Sequence, residues 1–129
     1  MNPRGAGRFA TTPERKSTVS IRFYNTLTRK KEVFAPRVTG KVGIYVCGIT
    51  AYDFCHIGHA RAAIVFDVLA RFLRDRGYDV TYVKNFTDVD DKIIDKALRE
   101  KKGIAEISER YIREHDEDMA ALGVARPTV

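Results

Sequence analysis

The hydropathy pattern of this chain predicts an α/β fold, a parallel sheet with flanking helices. Three observations carry that prediction. Two short runs rich in β-branched and aromatic residues, "KVGIYVC" (41–47) and "DVTYVKNF" (79–86), read as strands. Between them, Ala60 to Arg76 keeps the 3–4 spacing of an amphipathic helix. Two more helical stretches follow, so the order is strand, loop, helix, strand, helix, helix. That order makes a βαβ unit with parallel strands and a right-handed crossover. A sheet of two or three strands is too small for an open doubly wound fold. The 129 residues therefore read as the first part of something larger.

In chain order, "MNPRGAGRFATTPERKSTVS" (1–20) lacks periodicity and is rich in Gly, Pro, Ser, Thr and Arg, so a disordered basic tail is expected. An organelle transit peptide there would need an amphipathic helix, which Pro3, Gly5, Gly7 and Pro13 oppose. "IRFYNTLTRKKEVFAP" (21–36) alternates and then turns polar, the pattern of a short strand or hairpin. After the strand at 41–47, "GITAYDFCHIG" (48–58) interrupts with turn formers. In the helix from Ala60, the residues Val65, Val68, Leu69, Phe72 and Leu73 form the predicted buried stripe, and Gly77 stands where a left-handed cap belongs. "TDVDDKIIDKALREKKG" (87–103) runs from acidic to basic, matching a helix dipole. Thr87 is placed to cap it, with Asp90 three residues on. A last helix is expected from Ile104 to about Leu122, with a stripe of Ile104, Ile107, Tyr111, His115, Met119 and Leu122.

Composition narrows the classes of function. At 44% hydrophobic and 31% charged the chain is globular, long enough for one thin core. No apolar run nears 18 residues, and the N-terminus has no signal-peptide core, so neither a membrane span nor secretion is expected. Ten Lys/Arg against two Glu in residues 1–41 give +8, whereas thirteen Lys/Arg against fifteen Asp/Glu in 42–129 give −2. The basic front is either a solvated tail or an attraction for a polyanion such as RNA. Two cysteines, Cys47 and Cys55, are too few for a disulfide framework and point to a reducing cytoplasm.

The chemistry concentrates where the first core strand ends. Ligands of βαβ units sit beyond the carboxyl ends of the strands. "CHIGHA" (55–60) leaves such an end and enters a helix. Free N–H groups at a helix N-terminus attract phosphate. Gly58 removes a Cβ that would hold a base or phosphate away. His56 and His59, three apart, project to one side and offer two imidazole donors for charge that builds on phosphorus. The plainer alternatives are a loop histidine and a capping histidine. A zinc pair fits less well, because helical zinc pairs stand at i, i+4. Cys47 read alone is a small buried hydrophobe at a strand end, Cys55 is packing, "DVDD" (88–91) is acid at a helix start, and His115 is a core histidine.

"HIGH" at 56–59 is the signature tetrapeptide of class I aminoacyl-tRNA synthetases. Together with "FYNTLTRKKEVF" (23–34), "YVCGITAYDFCHIGHAR" (45–61) and "VFDVLARFLRDRGYDVTYVKNFTDVDDKII" (65–94), it makes the chain resemble the N-terminal part of the cysteinyl-tRNA synthetase catalytic domain, over roughly residues 21–127. The resemblance implies an incomplete Rossmann-like, HUP-type sheet, with residues 21–129 as its N-terminal segment. It implies that His56 and His59 are catalytic and bind ATP with Ile57 and Gly58. By the same resemblance Gly48, Thr50 and Thr87 line the cysteine pocket, and Cys47 is the first ligand of an active-site zinc. The implied partners are ATP with Mg2+, cysteine and tRNA(Cys), with no membrane. The family is often monomeric, although no residue here speaks to oligomeric state. The other zinc ligands and the lysine-rich "KMSKS"-type loop occur nowhere in the chain, and "TRKKE" (28–32) is not that loop. The chain alone is therefore expected to be inactive in aminoacylation and to hold zinc weakly or not at all. Two further readings fit the same residues: a mycothiol-pathway cysteine ligase acting on an amino-sugar, and a non-catalytic nucleotide- or RNA-binding paralogue.

Overall fold

A computed structural model of the chain describes residues 20–129. The basic tail expected at 1–20 falls, except for Ser20, outside the described residues. The chain divides into two compact units, one ending at Ala35 and one spanning Pro36–Val129.

The first unit resolves the short strand or hairpin expected at 21–36 as a hairpin. β1 (Arg22–Asn25) pairs antiparallel with β2 (Lys30–Val33), with Arg22 opposite Val33. Asn25 Oδ1 accepts from Leu27 N at 2.9 Å, an Asx turn that bends the chain back. Arg29 completes the turn at φ 57°.

The second unit is the βαβ unit followed by two helices. β3 (Lys41–Val46) lies parallel to β4 (Asp79–Lys84), from Lys41 opposite Asp79 to Val46 opposite Lys84. α1 (Ile57–Asp75) makes the crossover, and α2 (Asp91–Glu100) and α3 (Ile104–Ala121) follow. One core cluster joins Ala51 to Ile93, Ala97, Ile107 and Tyr111 of α2 and α3. A second joins Ala60 and Ala63 of α1 to Met119, with Cys55 packed against it.

Several boundaries and one face differ from expectation. α1 starts at Ile57, ahead of Ala60, because His56 caps it. α2 starts at Asp91, because Asp90 rather than Thr87 is its cap: Asp90 Oδ1 accepts from Lys92 N at 3.0 Å. Thr87 instead bridges to Thr50 in the sheet. The buried side of α1 is Ala60, Ala63, Asp67, Ala70 and Leu73, while Val65 and Val68 are more than half exposed and Phe72 is exposed as well. Both faces satisfy 3–4 spacing. The alanine face wins because small side chains let the helix approach closely. The α3 stripe is confirmed at Ile107, Tyr111, His115 and Met119, while Ile104 and Leu122 at its ends are exposed.

After α3 the chain turns at Gly123, φ 71°. Residues 124–129 then run back to the sheet. Val129 N donates to Tyr82 O at 3.3 Å, and Lys84 N donates to Val129 O at 3.1 Å. That pair of bonds is a parallel bridge on the free edge of β4. The sequence offered no closing strand there, because two residues carry no periodicity. Among the described residues no helix is long and apolar enough to cross a membrane.

Candidate functional site

The site begins where the β3–β4 ladder breaks. Val46 faces Lys84, and pairing resumes with Thr50 facing Thr87. Residues 47–49 thus oppose only 85–86, a bulge of one extra residue. Thr87 N donates to Ile49 O at 2.9 Å and Ala51 N to Thr87 O at 3.0 Å, restoring the ladder. A Cβ on Gly48 would stand 1.5 Å from Asn85 O, so only glycine permits the two backbones to come this close.

The loop then delivers His56 to the N-cap of α1, with φ −121° and ψ 169°. His56 Nδ1 accepts from Gly58 N at 3.0 Å. His59 Nδ1 accepts, more weakly, from His56 N at 3.4 Å. The two rings stack with centroids 3.9 Å apart and planes 27° apart. Because each Nδ1 is an acceptor, each neutral ring carries its proton on Nε2. Capping and ligand binding are therefore compatible: the cap uses Nδ1 and leaves an Nε2–H donor. A Cβ at Gly58 would lie 2.8 Å from His56 Cε1, so glycine also makes room for the capping ring. Burial, then the nearby His56 and Lys84, lower the His59 pKa and keep its ring neutral.

Two hollows meet at this corner. The larger, about 440 Å3, is lined by Gly48, Thr50, Asp53, His56, His59 and Lys92 among others. The smaller, about 160 Å3, is lined by Cys47, Gly48, His59, Phe66, Tyr82 and Lys84 among others. Gly48, Ile49 and His59 belong to both, so the structure brings Cys47, Gly48, Thr50, His56 and His59 together. Ile57 is 85% exposed, and neither it, Gly58 nor Thr87 lines either hollow. Cys47 is an exposed free thiol. Cys55 is the packing residue expected, its thiol pushed up chiefly by burial.

Sequence reasoning missed Lys84 and Asn85. Lys84 reads as an ordinary strand residue, yet it is half-buried, and burial lowers its pKa. Its Nζ lies 3.2 Å from His115 Nε2. Asn85 Oδ1 accepts from Gly48 N at 2.9 Å and from the Tyr45 hydroxyl at 3.0 Å. No sequence signal marks either role, because both depend on a partner about 30 or more residues away.

The implied zinc calls for several donor side chains at one point. Among the described residues no group of three or more His, Cys, Asp or Glu side chains could hold a metal ion. Cys47 supplies one thiolate where a tetrahedral zinc takes at least three protein ligands. These residues by themselves do not fit the ion.

Comparison with known proteins adds an independent line. A model of the catalytic domain of class I (C) tRNA synthetases matches residues 33–129. The cysteine–tRNA ligase of Trichlorobacter lovleyi is 60% identical over 111 residues, 86% of this chain and 23% of that protein. The cysteine–tRNA ligase of Solidesulfovibrio magneticus is 64% identical over 107 residues, 83% of this chain and 22% of that protein. The chain spans less than a quarter of the length of these relatives.

Proposed function

Since the chain belongs to the family of class I (C) tRNA synthetase catalytic domains, we propose that it takes part in joining cysteine to tRNA(Cys) at the expense of ATP. The larger hollow receives the triphosphate of ATP with its Mg2+, and the smaller one the amino acid. The observation that carries this reading is the stacked His56–His59 pair at the α1 N-cap, with each Nδ1 committed to the cap. The Nε2–H groups then serve as fixed donors to oxygens on the α-phosphate while the cysteine carboxylate attacks phosphorus and pyrophosphate leaves. One preorganised donor of this kind lowers a barrier by roughly 3–4 kcal/mol. With each Nδ1 engaged as an acceptor, each Nε2–H is free to point into the larger hollow.

Cys47 presents its thiol to the amino-acid hollow. Thr50 offers a hydroxyl at the rim of the larger hollow. We place the protein in the cytoplasm, where its two free cysteines stay reduced. The chain by itself is inactive in aminoacylation, having one thiolate in place of a zinc set.

The test is ATP with Mg2+ titrated into the 15N-labelled full chain. The Nε2 signals of His56 and His59 should move together, and His59→Asn should abolish the response. Ring nitrogens that ignore millimolar ATP would sink the reading. A pyrophosphate-exchange rate from this chain matching a complete cysteine–tRNA ligase would refute the claim of inactivity.

A further inference from the structure

The bulge has a single side chain at its centre. In an uninterrupted parallel ladder the Gly48 N–H would find a main-chain carbonyl on β4. Here the extra residue removes that partner, and Asn85 Oδ1 takes the bond at 2.9 Å. The Tyr45 hydroxyl donates to the same oxygen at 3.0 Å. Two donors occupy both lone pairs of the amide oxygen and fix which way the amide points. The Asn85 carbonyl, meanwhile, sits where a Gly48 side chain would be. Asn85 therefore grips Gly48 from the side chain and the main chain at once.

What this grip controls follows from register. With Val46 facing Lys84, an unbroken strand would place residue 49 opposite Thr87, but Thr50 occupies that place. Side chains alternate along a strand, so a one-residue shift moves a residue to the other face. The bulge thus turns Thr50 to the face that Cys47 occupies. Cys47 borders the smaller hollow and Thr50 the larger, with Gly48 lining both.

We propose that Asn85 is the positioning residue of this site: its side-chain oxygen holds the Gly48 bulge that brings Cys47 and Thr50 to one face. The proposal rests on the amino-acid and ATP reading of the two hollows for its purpose. Its geometry is tested without either ligand, so the two can fail separately.

The experiment is amide NMR on the full 129-residue chain and its variants. In Asn85→Leu, Gly48 exchange with solvent should accelerate about tenfold or more, the equivalent of one lost hydrogen bond. The Cys47 and Thr50 amide signals should shift, while Ile93 and Ile107 stay protected. Asn85→Asp keeps the acceptor and should restore Gly48 protection. Its Gly48 amide proton should also move downfield as the introduced carboxylate ionises, because a charged acceptor shortens the bond. That titration needs only the conservative variant, so the proposal stays testable even if Asn85→Leu fails to fold. Unchanged Gly48 exchange in a folded Asn85→Leu chain overturns the proposal. So does a Gly48 signal indifferent to the carboxylate in Asn85→Asp.

Discussion

At Gly48 a single added carbon would meet a carbonyl oxygen at 1.5 Å, whereas at Gly43, on the same strand, it would meet nothing within 4 Å. Gly48→Ala is expected to cost at least about 3 kcal/mol or to prevent folding, at the upper end of overpacking effects. Gly43→Ala should be neutral or stabilise by about 0.5 kcal/mol, since alanine suits a strand better than glycine. Urea unfolding of the two variants side by side reads the difference. His115 makes a second residue-scale case. An ammonium can only donate, so Lys84 Nζ fixes His115 Nε2 as an acceptor and puts the ring proton on Nδ1. That buried Nδ1 has no hydrogen-bond partner among the described residues, and Asp116 Oδ1 is 3.6 Å away. Burial, then Lys84, lowers the His115 pKa, and Asp116 only partly opposes them. The unfolded chain therefore binds the proton first as pH falls through about 6.5. Stability is fully present above that pH and declines below it until the folded-state pKa is reached. The urea midpoint should drop between pH 7 and pH 5.5. In His115→Met the drop should shrink to what His59, also depressed, contributes.

α1 is an element with two jobs at its first turn. His56 closes the cap, and the same ring faces the larger hollow. Replacing a capping side chain with alanine costs about 1 kcal/mol, while asparagine caps well. His56→Ala should therefore lose stability and the ATP response together. His56→Asn should recover the melting temperature and leave the ATP response lost, and calorimetry beside the ATP titration separates the two roles. Further along, the alanine side of α1 carries the packing. Leu73→Ala should cost about 2–4 kcal/mol, because Leu73 is 1% exposed. Val65→Gln and Val68→Gln should stay within about 0.5 kcal/mol as surface changes. The helix itself was legible from its 3–4 spacing. Which of its two apolar sides is buried was not, because spacing is identical on both and only the neighbours distinguish them.

For the molecule as a whole, β4 is the organising element of the Pro36–Val129 unit. β3 lies on one edge of it and the bridge from Val129 on the other, with Thr128 Oγ1 accepting from Tyr82 N at 3.0 Å. Asp67 ties α1 to this returning segment. Its Oδ2 pairs with Arg71 at 2.8 Å and its Oδ1 accepts from Ala125 N at 3.2 Å, while Arg71 reaches Gly123 O at 2.9 Å. Asp67→Ala should cost about 1–2 kcal/mol, because it leaves the half-buried Ala125 amide without its acceptor and removes the Arg71 pair, and hydrogen exchange should rise from Val124 to Val129. Local pattern alone determined the βαβ order, both closing helices and the His–x–x–His corner, since each is written in neighbours within a few residues, and it left residues 21–36 as either a short strand or a hairpin. Tertiary structure decided the buried face of α1, the bulge at Gly48, the pairing of Val129 with β4, and the parts played by Lys84 and Asn85. Those depend on groups that folding brings together from more than 30 positions apart. Packing and hydrogen bonding at that range leave no periodicity in a linear chain.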